Sequence, residues 1–297
     1  MSDSPSDLDQ LRRRIDEIDD RLQDLLVERV NVVSSVAAHK RSNSGVDFHQ
    51  PAREAEILRR LAARSQAFPP ATLVRMWREM LAATVRMQGS FTIAVYVAAE
   101  TQGFWDIARD HYGSHTPMLA YGSTAQVIRA VTEGQAAVGV LPVPAEDESD
   151  PWWRHLLSST ENSPHVIARL PFGARGNARP DADDALAIGR GAQIATGRDR
   201  TLVATENAPD ISRGRMFSLF SRLELNCSFM ASNQQGDVAN TLIELDGHVP
   251  LSDPRLRQLR EELGAALARM LWLGGYAMPL SPTELGNGAA ETRGNSR

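Results

Sequence analysis

"GSFTIAVYVAAE", residues 89–100, decides how the chain is read. Gly89 and Ser90 break a helical pattern, and "FTIAVYV" is a run of β-branched and aromatic residues of strand length. Upstream, apolar residues recur with the three-four spacing of helices; downstream, strand-like and helix-like segments alternate. The chain therefore changes class here, from all-helical to α/β.

Working upstream, residues 6–41 predict one long helix with Leu8, Leu11, Ile15, Ile18, Leu22, Leu25, Val32 and Val36 in a narrow stripe, as in a helix packed against other helices. "RSNSGVDFHQPARE" interrupts it, with Gly45 as a stop and Pro51 opening a helix near 51–65. After "AFPP", residues 71–88 resume the pattern on Leu73, Trp77, Leu81, Thr84 and Gln88. The first 88 residues read as three helices.

Downstream, strand "FTIAVYV", helix "GFWDIARDHYG", strand "PMLAYG", helix "TAQVIRAVTEG" and strand "AAVGVLPVP" form a βαβαβ series. The segment 145–185 is rich in Pro, Asp and Arg and reads as loop with short elements. From about 206, "MFSLFSRLEL" predicts a helix, "SFMASNQ" and "VANTLIELDG" strands, "DPRLRQLREELGAALARM" a helix and "LWLGGYAMPL" a last strand. Residues 282–297 have the composition of a disordered tail. No internal repeat is visible.

Composition limits what such a chain does. With 297 residues, 42% of them hydrophobic, it can build a good core in more than one domain. The net charge of −5 divides into 14 basic and 13 acidic side chains in residues 1–90 and 18 and 24 beyond, so neither part offers a nucleic-acid surface. No apolar run approaches the ~20 residues of a membrane span, and "MSDSPSDLDQ" does not open like a signal peptide, so no membrane is expected and the cytoplasm is the expected compartment. Cys227 stands alone, against an internal disulfide or a thiolate metal site.

The helical region also holds charge where apolar side chains belong. Continued past Leu25, the core stripe meets Arg29, which must be paired or face a polar cavity. Thr84 and Gln88 make the third helix polar in the same way. Lys40 is the single lysine in a chain with 31 arginines, so that position is expected to need a compact ammonium. Arg29 and Lys40 are 11 residues apart, three turns or about 16 Å, and long side chains there can converge on one small anion. Arg12 lies 17 residues before Arg29, about 25 Å along the helix, too far to share that site unless it serves a second protomer.

"LRRRIDEID", "LLVERV", "AAHK", "PARE" and "TVRMQ", over residues 8–88, resemble the all-helical, AroQ-class chorismate mutases in order and spacing. The resemblance implies a three-helix module in an intertwined homodimer acting on chorismate. Its substrate-binding arginines are Arg29, Arg53 and, in trans, Arg12. The resemblance further implies that Lys40 and Gln88 meet the ether oxygen, that Glu54 contacts the substrate hydroxyl and that Thr84 fills a small-hydroxyl position. Gln50 stands where relatives often carry aspartate. The reaction is an intramolecular Claisen rearrangement to prephenate, as in phenylalanine and tyrosine biosynthesis. It needs no nucleophile, metal or cofactor, only a folded dianion and donors aimed at the charge growing on the ether oxygen.

Residues 91–205 resemble a prephenate dehydratase domain of periplasmic-binding-protein type, and 206–281 an α+β ACT domain of βαββαβ order, as in fused mutase–dehydratases. The dehydratase motifs are eroded. Its glycine-rich opening reads "VAAETQGF", its "PIENS" reads "PVPAED" with Pro144 at the glutamate, and its "TRF" aligns with Asp199, Arg200 and Thr201. About 115 residues are also too few for two lobes. In the ACT-like part, "GAL" reads Ile211, Ser212 and Arg213, and "ESRP" reads Ala231, Ser232, Asn233 and Gln234. The expectation is a multidomain chain: mutase over 1–90, a truncated, inactive dehydratase-like domain over 91–205, an ACT-like domain over 206–281 and the tail. The alternatives are a bifunctional mutase–dehydratase and a non-catalytic ligand sensor.

Overall fold

The computed structural model describes residues 7–42, 48–65, 67–98, 102–146, 148–157, 163–182, 184–191, 193–208 and 211–286. These fall into two compact units, one built on residues up to Phe48 with Met87–Gly89, the other on His49–Arg86 and the chain from Ser90.

The first unit is essentially α1 (Asp7–Ser42), a helix of 36 residues, about 54 Å long. Asp7 and Asp9 in its first turn complement the positive end of the helix dipole. The eight apolar residues of its stripe, from Leu8 to Val36, are 43–63% exposed.

The second unit begins with α2 (Pro51–Arg64), where Pro51 takes a first-turn position whose N–H has no helical partner. α3 (Pro70–Gln88) follows, its last residues counted with the first unit. Its buried face runs through Val74, Arg78, Leu81 and Val85, whereas Leu73 and Trp77 are half-buried. The expected stripe is thus turned by about one residue, because Arg78 carries its guanidinium into the interior.

The rest is a nine-stranded sheet in the order β2-β1-β3-β5-β4-β9-β6-β8-β7. β1 (Ile93–Tyr96), α4 (Gly103–Tyr112), β2 (Met118–Tyr121), α5 (Thr124–Thr132) and β3 (Val138–Pro142) are the predicted βαβαβ series, with β2 and β3 parallel to β1 on either side. β4 (His165–Leu170) and β5 (Ala185–Gly189) extend it, β5 antiparallel to both β3 and β4. Only residues 143–164, with a 3-10 turn at Trp152–Leu156, connect β3 to β4.

The C-terminal strands form an antiparallel half-sheet. β6 (Asp199–Asn207), α6 (Arg213–Arg222), β7 (Cys227–Gln235), β8 (Val238–Asp246), α7 (Pro254–Leu263) and β9 (Leu267–Ala277) follow a βαββαβ order. α6 and α7 pack on one face over Val203, Met230, Ile243 and Met270. The two half-sheets meet where Val166 of β4 pairs with Gly274 of β9. Gly274 has φ +114°, and a Cβ on it would lie 2.2 Å from the Val166 carbonyl, so the seam requires glycine.

Four features depart from the sequence reading. β4 is one of the short elements of the segment 145–185, whereas the sequence reading contains neither β5 nor β6. The boundary at 205/206 falls inside β6, which pairs along its length with β8 and β9. α7 stops at Leu263, because Gly264 turns the chain at φ +51° and β9 starts at Leu267, inside the stretch read as helix. The region assigned to the tail starts as a turn, in which Glu284 accepts hydrogen bonds from Ser281 and pairs with Arg198 at 3.0 Å while Leu285 is buried. The tail prediction otherwise falls on residues 287–297, outside the described ones.

α2 and α3 share a core with Phe172, Leu280 and Leu285, and Arg59 of α2 donates to the Met278 and Arg198 carbonyls at 2.7 and 2.9 Å. Residues 49–86 of the predicted 1–90 module are therefore packed as part of the α/β unit. Among the described residues no helix is long and apolar enough to cross a membrane.

Candidate active site

The predicted site residues divide between the two units. In the first, α1 carries Arg12, Arg29 and Lys40, and Gln88 ends α3. Arg12 is exposed, its Nη1 3.5 Å from Asp9 Oδ1, a surface pair worth at most about 1 kcal/mol. Arg29 and Gln88 are half-buried. Lys40 is helical, and its side chain lies outside the described residues.

In the second unit, Gln50 is the N-cap of α2, its carbonyl accepting the Glu54 N–H at 3.0 Å. The neighbours Arg53 and Glu54 diverge, as the 100° step of a helix requires. Arg53 is exposed and donates to Glu56 at 2.9 Å. Glu54 turns inward, where its Oε2 accepts from Arg78 Nη1 at 2.7 Å and His49 Nε2 lies 4.0 Å from its Oε1. Thr84 is buried, and its hydroxyl donates to the Leu81 carbonyl at 2.8 Å.

The structure thus joins Glu54 to Arg78, a residue absent from the sequence-derived set. The signal was available: Val74, Arg78, Leu81 and Val85 keep a four-three-four spacing, so Arg78 interrupts an apolar face as Arg29 does. Its guanidinium stacks over the Phe172 ring, 5.2 Å from the centroid. Burial lowers the Arg78 pKa and the Glu54 charge opposes that shift. His111, facing the pair from α4, is held well below the usual histidine range by burial and then by Arg78 and His49, so it is neutral. Burial and the nearby Glu54 push Tyr112 up, so its hydroxyl stays protonated. The ion pair is therefore enclosed by a neutral His111, a protonated Tyr112 and the Phe172 ring, with His49 beside Glu54.

The positions of the eroded motifs serve structural ends. Asp199 accepts from the Thr196 N–H and hydroxyl at 2.8 and 2.7 Å. The Thr201 hydroxyl donates to the Gly247 carbonyl at 2.8 Å and accepts from Val249 N–H at 2.9 Å. Ser212 caps α6, Arg213 pairs with Glu146 at 2.7 Å, and Ala231–Gln234 lie within β7. Among the described residues no group of three His, Cys, Asp or Glu is placed to hold a metal ion.

Three N-terminal helices joined to a mixed α/β sheet define a fused helical and α/β protein. Residues 11–89 match the family described as chorismate mutase type II, and the N-terminal region carries a domain of that family. The chain is 29% identical over 157 residues to the bifunctional chorismate mutase/prephenate dehydratase of Pseudomonas aeruginosa, an alignment covering 50% of this chain and 41% of that one. It is 26% identical over 142 residues to the protein of that name from Aquifex aeolicus, covering 46% and 39%. The chain thus spans less than half the length of these curated relatives. Among solved structures, prephenate dehydratase from Streptococcus mutans aligns over 64% of this chain and 100% of that one, with 16% identity and a TM-score of 0.45. A protein described as GqqA, a novel type of quorum quenching acylase, aligns over 65% and 96%, with 17% identity and a TM-score of 0.47.

Proposed function

We propose that the protein is a chorismate mutase of aromatic amino-acid biosynthesis, converting chorismate to prephenate in the cytoplasm, with an α/β appendage that has no dehydratase activity. The match of residues 11–89 to the type II family carries this reading.

Arg29 and Arg53, with Arg12 of a second copy, hold the two carboxylates, where bidentate guanidinium geometry fits. Lys40 and Gln88 donate to the ether oxygen as its bond breaks, and charge growing there is met by an ammonium and an amide. Glu54 receives the substrate hydroxyl and Arg78 positions it; Thr84 and Gln50 complete the surroundings. The homodimer follows from the bare stripe of α1, which a second copy's helix covers. The βαββαβ order of residues 199–277 supports the ACT-like reading. The short connection between β3 and β4 and the structural duties of Asp199 and Thr201 favour an inactive dehydratase-like part.

The test is incubation with chorismate followed by product analysis. Prephenate as the sole product is expected. Phenylpyruvate accumulating from added prephenate supports the bifunctional alternative, and unconsumed chorismate removes the mutase reading.

A further inference from the structure

A cavity of about 530 Å³ opens in the second unit, on the sheet face opposite α6 and α7. Alternation along the strands puts it there: Ile243 and Leu245 enter the helix-covered core, while Leu242 and Glu244 line the cavity. Cross-strand register gathers its charges, with Arg200 of β6 opposite Asp246 of β8 and Tyr276 of β9, and Leu202 opposite Glu244. Arg169 of β4 and Asp184, just before β5, complete the polar lining.

The hydrogen bonds leave an imbalance. Asp184 Oδ2 accepts from Arg169 Nε and Nη2 at 3.0 and 2.6 Å. Arg169 Nη1 donates to Tyr276 Oη at 3.2 Å, and that hydroxyl donates to Glu244 Oε2 at 2.7 Å. Glu244 Oε1 accepts from the Ser228 hydroxyl at 2.7 Å. Both lining carboxylates are therefore engaged.

The guanidiniums are engaged only in part. Each has five N–H donors. Arg169 commits three of them, and Arg200 pairs through Nη1 with Asp246 while its Nε stays 3.9 Å from Glu244, too long for a hydrogen bond. Asp246 is outside the lining and 44% exposed, so water screens its charge, whereas the Arg200 side chain is 19% exposed. Surplus cationic donors thus face a cavity whose other walls, Leu186, Leu202, Phe229 and Leu242, are apolar. The volume lies within the ~300–1,000 Å³ of small-molecule sites.

We infer that this cavity binds a small carboxylate with an apolar or aromatic body, its carboxylate on Arg200 and Arg169 and its body against Phe229 and the leucines. Asp184 is already charge-paired with Arg169, and Glu244 already accepts from two hydroxyls, so a plain carboxylic acid is preferred to the matching amino acid. The inference stands apart from the mutase reading.

Calorimetric titration of the full chain with 3-phenylpropanoate, L-phenylalanine and benzylamine tests it. Saturable binding of 3-phenylpropanoate is expected, with phenylalanine weaker and benzylamine silent. Arg200→Gln is expected to weaken binding about 10- to 100-fold, the loss of a charged hydrogen-bond partner. Val143→Trp, which fills the cavity from the segment after β3, is expected to block binding and carries the test if Arg200→Gln does not fold. Absence of 3-phenylpropanoate binding, binding indifferent to both substitutions, or tighter binding of phenylalanine or benzylamine overturns the inference.

Discussion

α1 and α5 are both amphipathic, yet of the two only α5 has its apolar face buried among the described residues. α5 buries Val127, Ile128, Ala130 and Val131, all 7% exposed or less, against β1, β3 and the 3-10 turn. α1 leaves eight apolar residues 43–63% exposed along its length. Periodicity announces that a face will be buried; it does not say which chain will bury it. The contrast is the ground for the proposed pairing of α1 with a second copy.

The largest expected effect breaks that contrast directly. Leu22→Glu with Leu25→Glu removes apolar contacts worth about 1.5–3 kcal/mol per leucine, four leucines across a pair of copies. On the proposed pairing of α1 with a second copy, sedimentation velocity is expected to show the mass halved and a parallel assay the loss of mutase turnover. A variant that keeps the wild-type mass would mean that α1's stripe meets something else.

The α/β unit is probed by Arg78→Met, which strands the buried Glu54 carboxylate at a cost of about 3–5 kcal/mol. The thermal midpoint should fall sharply with the native mass in solution unchanged, and Arg78→Met with Glu54→Leu should recover much of the loss. Equal damage from the single and double variants would show that the pair is not coupled. Lys40→Ala acts on chemistry instead. By analogy with loss of one oxyanion donor, kcat is expected to drop about 10²-fold or more with the fold intact. Near wild-type turnover removes Lys40 from the site.

The same contrast explains what the sequence made legible. The switch at 89–100 was readable because Ile93–Tyr96 and its neighbours form a short β-rich run between clear helices. β6 was not, since seven of its nine residues are buried and both faces are covered, so no alternation signals a strand. Its threonines look polar until Gly247 and Val249 are found bonding Thr201. β5 is five buried residues with no periodicity at all. Of the proposed site residues on α1, Arg29 is legible because it interrupts the apolar stripe and Lys40 because it is the single lysine, whereas Arg12 rests on the family resemblance. The inward turn of Glu54 was not, because its partner Arg78 is 24 residues away and the pairing exists only once α2 and α3 pack.

The smallest expected effect is a pH dependence confined to the enclosed pair. His111 is 6% exposed and faces Arg78 of α3, His49 before α2, and Tyr112 on its own helix. Protonating it in place would add a cation beside Arg78 with little water to solvate it. Its pKa in the folded chain therefore lies well below the 6.5 of the unfolded chain. Above pH 6.5 neither state holds the proton and the imidazole costs nothing; as pH falls from 6.5 toward the folded value, the unfolded chain takes up a proton that the folded chain refuses, and stability is lost. His111→Phe keeps a ring against Tyr112, 4.7 Å away in the native pair, and cannot titrate. Across pH 7.5 to 5, roughly a unit above and below the histidine range, the wild-type thermal midpoint should fall further than that of His111→Phe, whose remaining slope comes from the other titrating groups. Parallel profiles would mean that His111 takes up its proton within the fold, and that the interior around Glu54 and Arg78 is wetter than its burial indicates.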